Sequence, residues 1–254
     1  MLTVDNLSKS FDALVAVDGV SFALDETPVV GLIGPNGSGK TTLFHCLSGF
    51  YRPDSGGGDF NGHRLDGLPP YKIARLGLAR TFQISRVLPF LSVRDNLLAV
   101  APDQAGERLG SVFFAPGRVR RREAALRIRA AEILARLKLD HLADQPAGRL
   151  SYGQQKLLEI GRVLISAPRL VLLDEPTAGV NPTLIRQIVE TIRGLAGDGI
   201  QFFIVEHNMP LIAELCERVL VMDAGSLIFD GSPGAAQSDP AVVEAYLGRA
   251  HDAA

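Results

Sequence analysis

Gly34-Pro35-Asn36-Gly37-Ser38-Gly39-Lys40-Thr41 follows the apolar run VVGLI (29–33) and leads into TLFHCLSG (42–49). The octet has the form G-x-x-x-x-G-K-[S/T], set between a strand-like and a helix-like segment, the context that a phosphate-binding loop requires. Its glycines let backbone N–H groups turn inward around phosphate oxygens, at a helix N-terminus that already favours anions. Lys40 can reach the β- and γ-phosphates, and the Thr41 hydroxyl can ligate Mg2+. The expected nucleotide contacts are therefore Gly34, Pro35, Asn36, Gly37, Ser38, Gly39, Lys40, Thr41 and the adjoining Thr42. A glycine-rich turn with a chance lysine is the plainer alternative, and the flanking strand and helix patterns argue against it.

The second half of such a site lies at LVLL (170–173) followed by Asp174-Glu175. A buried strand ending in a carboxylate places Asp174 beside a metal, and Glu175 can orient and polarise an attacking water. Together the two motifs describe a nucleoside-triphosphatase without saying which kind.

The rest of the chain is read outward from these. VVGLI, LVLL, FFIV (202–205) and VLVM (219–222) alternate with amphipathic helical patterns, the mark of an α/β protein with a largely buried sheet. A helix is expected to begin inside GSGKTTLFHCLSG and to stop near Gly49. Two-faced segments at 1–7 and 20–24, with SLIF (226–229), are expected to form an additional sheet. From about Ser92 to Ala147 strand signals give way to Leu126, Ala130, Ile133, Leu134 and Leu137 at helical spacing. This predicts a helical subdomain, residues 92–147, inserted between two parts of an α/β core, 1–91 and 148–250. Within the insert, Ala101–Gly117 reads as a loop and the basic run Arg118–Arg122 as a solvated helix start.

Composition bounds what the chain can do. It has 254 residues, 46% hydrophobic and 21% charged, ordinary values for a globular protein. A formal net charge of -2 gives no support for a general nucleic-acid binder. Cys46 and Cys216 are the only cysteines, each in an apolar helical context, which points to small buried side chains and a reducing compartment. The opening MLTVDNLSKSF lacks the basic start and apolar run of a signal peptide, and no stretch approaches the roughly 20 apolar residues of a membrane span. Membrane work is expected to go through a partner. His45, His63, His141 and His251 show no metal-ligand spacing.

What narrows the class is Leu150-Ser151-Tyr152-Gly153-Gln154-Gln155, upstream of Asp174. LSYGQQ resembles the signature motif of ABC ATPases, usually LSGGQ, with Tyr152 in place of the first glycine. The resemblance implies that Ser151, Gly153 and Gln154 grip the γ-phosphate of ATP held by a second subunit, so that two chains sandwich two nucleotides. Other elements follow the family's order. Gln83 in RTFQ resembles the glutamine that senses Mg2+ and the attacking water, and His207 the switch histidine that contacts the γ-phosphate. Ala178-Gly179-Val180-Asn181-Pro182 resembles the D-loop, with Asn181 where many members have Asp. Phe11 stands where an aromatic usually stacks on adenine, a core phenylalanine being the alternative. Asp25-Glu26-Thr27-Pro28 replaces a glycine-containing turn, and Gly56-Gly57-Gly58 interrupts a small strand of the family pattern. The implied cofactors are ATP and Mg2+. Catalysis falls to Glu175, His207, Gln83 and Lys40, and metal binding to Thr41, Gln83 and Asp174.

Further stretches, LVAVDGVSF, GLPPYKIARLGLARTFQ, LLDEPTAGVNP and the closing VVEAYLG, resemble the first of the two ATPase subunits of bacterial branched-chain amino-acid importers. That family implies a P-loop core of mainly parallel sheet with an antiparallel β subdomain and an inserted helical one. It also implies a second ATPase subunit, two membrane permeases, a periplasmic binding protein and no nucleic acid, at the cytoplasmic face of the inner membrane. Urea and amide importers and the lipopolysaccharide-export ATPase share parts of the pattern and stay open. A soluble ABC factor acting on ribosomes or DNA would carry tandem cassettes or a long coiled coil. A nucleotide sensor would lack Glu175 or His207. The apolar stretch Ile84–Leu91, broken by Pro89, falls where the family receives a short permease helix, with Arg86 and Arg94 as a basic rim.

Overall fold

The computed structural model describes residues 1–81, 87–102 and 116–251, and divides them into two compact units. The first holds Met1–Arg80, Arg169–Pro176 and the chain from Ile192 onward; the second holds the described residues of Thr81–Pro168 and Thr177–Thr191.

The first unit contains two sheets. Strands β1 (Leu2–Phe11) and β2 (Leu14–Leu24) pair antiparallel, and β3 (Val29–Ile33) follows them into the second sheet. All five residues of β3 are buried, as a continuous apolar run should be when both faces of a parallel strand are covered. Helix α1 (Lys40–Leu47) comes next and ends at Ser48 and Gly49, as expected. The chain then returns to the first sheet as β4 (Ser55–Phe60) and β5 (His63–Arg64), giving the order β2-β1-β4-β5. The triple glycine therefore does not break β4; a register shift between Asp5 and Ser8 of β1 absorbs the irregularity. The turn at Asp25 manages without glycine because its carboxylate accepts the Thr27 N–H at 2.9 Å, an Asx-type turn.

Helix α2 (Pro70–Leu76) leads into β6 (Leu78–Arg80) at the edge of the main sheet. The second unit then supplies α3 (Val93–Leu98), α4 (Pro116–Arg136) and α5 (Tyr152–Leu164), which pack on one another. The main sheet resumes with β7 (Leu170–Asp174), then α6 (Pro182–Gly197), β8 (Gln201–Val205), α7 (Met209–Leu215), β9 (Arg218–Asp223) and β10 (Ser226–Gly231). Helices α8 (Pro233–Ser238) and α9 (Pro240–His251) close the chain. The main sheet runs β10-β9-β3-β8-β7-β6, parallel except for β10.

Two expectations are revised. SLIF does not join the additional sheet; it lies in β10, paired antiparallel with β9 through Ser226↔Asp223 and Leu227↔Met222. The cause is local. Ala224 (φ 45°) and Gly225 (φ 87°) are the two positive-φ residues of a tight hairpin turn, which leaves β10 no reach beyond its predecessor. The second unit also extends beyond 92–147 on both sides, taking in the described residues of 81–91 together with 148–168 and 177–191. Helix α5 packs on α3 and α4, with Gly161 of its buried face against Leu97, Ile133 and Leu137. Leu126, Ala130, Ile133, Leu134 and Leu137 are all buried, matching the helical stripe. The basic run sits in the first turns of α4, and the loop expected over 101–117 lies mostly outside the described residues.

Because β3, β7 and β8 run parallel, with Leu32↔Val205 and Asp174↔Val205 in register, their C-terminal ends reach the same edge of the sheet. Gly34, Asp174-Glu175 and Glu206-His207 leave from that edge, the usual ligand edge of such a sheet. Cys46 and Cys216 are buried and unbridged, and burial pushes both thiols up to about 12.

Candidate functional site

The loop after β3 closes tightly on its own unit. Gly34 (φ 147°) and Gly39 (φ 101°) have conformations that side chains resist, and space decides the matter. A Cβ on Gly34 would run into the Met222 carbonyl oxygen of β9, and one on Gly39 into the Ala16 carbonyl oxygen of β2. Two neighbouring strands thus press on the loop from behind. The Gly225 N–H donates to Ser38 O at 3.1 Å, and the Asp18 N–H to Gly225 O at 2.9 Å, tying the loop to the β9–β10 turn. Lys40 is buried, and its ammonium donates to Gly34 O (2.9 Å), Pro35 O (2.8 Å) and Ser38 Oγ (3.1 Å). The cation therefore lies within the loop that is expected to receive phosphates. Asn36 and Gly37 are exposed at its tip, and Thr41 and Thr42 are half-buried at the start of α1.

Asp174 ends β7 with its side chain 1% exposed. Arg80 Nη2 donates to Asp174 Oδ2 at 2.8 Å, and the Arg80 side chain is 4% exposed. Burial draws the Arg80 guanidinium down from its ordinary value, and Asp174 pulls it back up. Next along the chain, Glu175 has φ 48°, and its N–H donates to Val205 O at 2.9 Å. That turn brings Glu175 Oε1 to 2.7 Å from His207 Nε2. Behind them Glu206 is buried, and its Oε2 accepts the His207 N–H at 3.2 Å.

Phe11 is 39% exposed, not a core residue. Its ring meets Tyr51 edge-on, centroids 5.1 Å apart, and Lys9 Nζ stands 5.4 Å from its centre. Tyr246, on α9, comes beside the phosphate loop: burial pushes its phenol up while the Gly34 backbone N–H draws it down.

In the second unit, Ser151 caps α5 and forms a reciprocal capping box with Gln154. The Gln154 N–H donates to Ser151 Oγ at 3.3 Å, and the Ser151 N–H to Gln154 Oε1 at 2.9 Å. Ser151 and Tyr152 are exposed at the helix start. Gly153 packs closely on α6: a Cβ there would meet the Leu184 side chain, which would have to move. Tyr152 lies against Gly179, where a Cβ would approach its ring at 3.2 Å. Asn181 Oδ1 accepts the Leu184 N–H at 3.0 Å, the capping bond that an aspartate would also make. Gln83 falls outside the described residues, as do Ile84, Ser85 and Arg86. Arg94 is not a free rim charge: it pairs with Asp144 at 2.9 Å.

Sequence reasoning passed over Arg80, Glu206 and Tyr246. Arg80 carried a signal, a charge ending an apolar strand, which needs a counter-charge if buried. Tyr246 carried none.

No cluster of three or more His, Cys, Asp and Glu side chains able to hold a metal occurs among the described residues. The donor set present still fits Mg2+. The ion prefers hard oxygen, keeps several waters and binds through one or two carboxylates plus substrate phosphates, so Thr41 and Asp174 suffice on the protein's side.

The family described as ABC transporter matches residues 17–178, and that described as branched-chain amino acid ATP-binding cassette transporter matches 226–252. The chain is 42% identical over 248 residues to the probable branched-chain amino acid transport ATP-binding protein LivG of Archaeoglobus fulgidus, covering 98% of this chain and 95% of that protein. It is 38% identical over 251 residues to the high-affinity branched-chain amino acid transport ATP-binding protein BraF of Pseudomonas aeruginosa, covering 98% of each. Among solved structures, a nucleotide-free ATP-binding cassette from an ABC transporter aligns with a TM-score of 0.84 at 36% identity, over 97% of this chain and 98% of that one. The ADP conformation of the cassette MJ1267 aligns with a TM-score of 0.83 at 35% identity, over 98% of each.

Proposed function

The chain belongs to the ABC transporter ATP-binding family, and from that premise we propose that it energises the import of branched-chain amino acids by hydrolysing ATP. The observation that carries the chemistry is the 2.7 Å contact of Glu175 with His207, at the sheet edge that also bears the phosphate loop. The Glu175 carboxylate orients the attacking water and accepts its proton. His207 holds that carboxylate at Nε2 and contacts the γ-phosphate when ATP is bound. Lys40 transfers its hydrogen bonds from loop carbonyls to phosphate oxygens. Thr41 and Asp174 would hold Mg2+, which when bound neutralises charge on the β- and γ-phosphates; Gln83 is assigned there by its motif alone. Phe11, with its exposed face, stacks on adenine.

Ser151 and Gly153, at an exposed helix start, serve the nucleotide of a partner ATPase subunit. Two permeases and, through them, a periplasmic binding protein complete the assembly at the cytoplasmic face of the inner membrane. No described helix is long and apolar enough to cross a membrane, in keeping with a peripheral subunit. The test is reconstitution with its partner subunits in proteoliposomes. Leucine, isoleucine or valine on the binding-protein side should stimulate Mg2+-dependent ATP hydrolysis. Stimulation by urea or short amides alone would move the chain to a related importer, and ATP hydrolysis that no solute stimulates would overturn the reading.

A further inference from the structure

Arg80 is a buried cation for which the reaction above has no use. It ends β6, and its register partner on β7 is Leu172, two positions short of Asp174. The stagger lets its long side chain run along the strand to the carboxylate at 2.8 Å. Two further contacts fix it there. Nη1 donates to Ser48 Oγ at 3.1 Å, just past the end of α1, and the guanidinium stands 5.7 Å from the centre of the Phe44 ring. A permanent positive charge thus sits on the carboxylate that, on the ATPase reading, holds Mg2+.

Resting on that reading, we propose that Arg80 is a positioning residue and built-in counter-cation for Asp174, one that makes divalent-metal binding conditional on nucleotide. A buried pair is screened less than a surface one, so each charge is felt more strongly by a third ion nearby. A carboxylate paired with a guanidinium attracts a divalent ion less than an unpaired one, and the ion feels the guanidinium's repulsion as well. Phosphate oxygens supply the missing negative charge only when nucleotide is present. The planar guanidinium also fixes the carboxylate's orientation, as outer-shell partners of metal ligands do. The site is then held together, but without metal, until ATP brings its own charge.

The experiment titrates Mn2+ into the purified full-length chain and follows the free ion by electron paramagnetic resonance, with and without a non-hydrolysable ATP analogue, after subtracting the Mn2+ that the analogue chelates in a protein-free titration. In the wild type, affinity should be at least tenfold tighter with the analogue. Arg80→Gln should raise the analogue-free affinity at least tenfold. Arg80→Lys, whose point charge sits on a shorter reach, should raise it about threefold. A purely structural arginine would lower thermal stability in both variants and leave analogue-free affinity unchanged, and that result in a folded Arg80→Gln overturns the proposal. Should Arg80→Gln fail to fold, Arg80→Lys decides by the same criterion. A wild type that binds no Mn2+ even with the analogue would instead refute the ATPase reading.

Discussion

Glu175 holds a backbone conformation, φ 48°, that a non-glycine residue adopts at a cost of order 1–3 kcal/mol. The bond from its N–H to Val205 O and the contact with His207 hold it there, and without that turn the carboxylate would continue the line of β7. Glu175→Gln should therefore keep ATP binding and lower turnover by on the order of 10²–10⁴, as loss of a positioned base does. Turnover equal to wild type would remove Glu175 from the reaction. Since the two side chains touch, their effects should not add. His207→Ala alone should reduce turnover with little change in nucleotide affinity, and on the Glu175→Gln background it should reduce it hardly further. A double-mutant cycle in single-turnover kinetics measures this, and additive losses would mean that the residues act separately. Lys40→Ala, which removes a charge from the loop itself, should weaken binding as well. Glu175 was read from its place after an apolar strand, and His207 from the order of the family's motifs. Their 2.7 Å contact was not, because it depends on one unusual φ that no residue type announces.

At the scale of elements, the strand–loop–helix unit from β3 to α1 is held from behind by carbonyls of β2 and β9, which makes two glycines of similar look very different. Gly39→Ala must place a Cβ at φ 101° against Ala16 O, so α1 has to shift away from the loop. The αL conformation alone costs roughly 1–2 kcal/mol, and nucleotide affinity should fall at least tenfold. Gly194, inside α6, has nothing within 4 Å of its would-be Cβ. Gly194→Ala should stabilise the protein by about 0.5–1 kcal/mol, the ordinary helix-interior gain. Thermal melts with nucleotide titration check both, and equal effects would mean that the loop is not clamped. The same scale explains what reading the sequence could and could not find. β3, β7, β8 and β9 were evident because strands covered on both faces must be continuously apolar. β10 was misassigned because SLIF shows a strand but not its partner, and the positive-φ turn at Ala224-Gly225, the deciding feature, contains a residue that rarely marks one. Helix α5 was placed in the core because an apolar face does not say which body it faces.

For the molecule as a whole, the question is which surface carries the chemistry to a partner. Ser151→Arg should leave ATP binding through Lys40 and Thr41 intact while abolishing ATP-driven dimerisation, and normal dimers by light scattering would contradict a signature motif acting in trans. The exposed side chains of the second unit point to another such surface. Phe90 is 94% exposed, an unusual state for a large apolar residue, and Leu88 and Leu91 beside it are about 40% exposed. Their turn is tied down by hydrogen bonds. Asn96, fully buried, accepts the Leu88 N–H at 2.8 Å and donates to Leu88 O at 3.0 Å, while the Ala147 N–H donates to Leu91 O and the Gly148 N–H to Pro89 O. A rigidly presented aromatic pays little entropy on binding, which is what a docking anchor requires. Arg94, expected on the rim of this patch, pairs with the exposed Asp144 at 2.9 Å. Phe90→Asp removes the anchor and buries nothing. It should leave basal ATP hydrolysis of the isolated chain within about threefold, a change under roughly 1 kcal/mol. In the assembled transporter it should abolish solute-stimulated hydrolysis and loosen the complex. A mutant complex that stays intact and fully stimulated would mean that coupling passes through another surface.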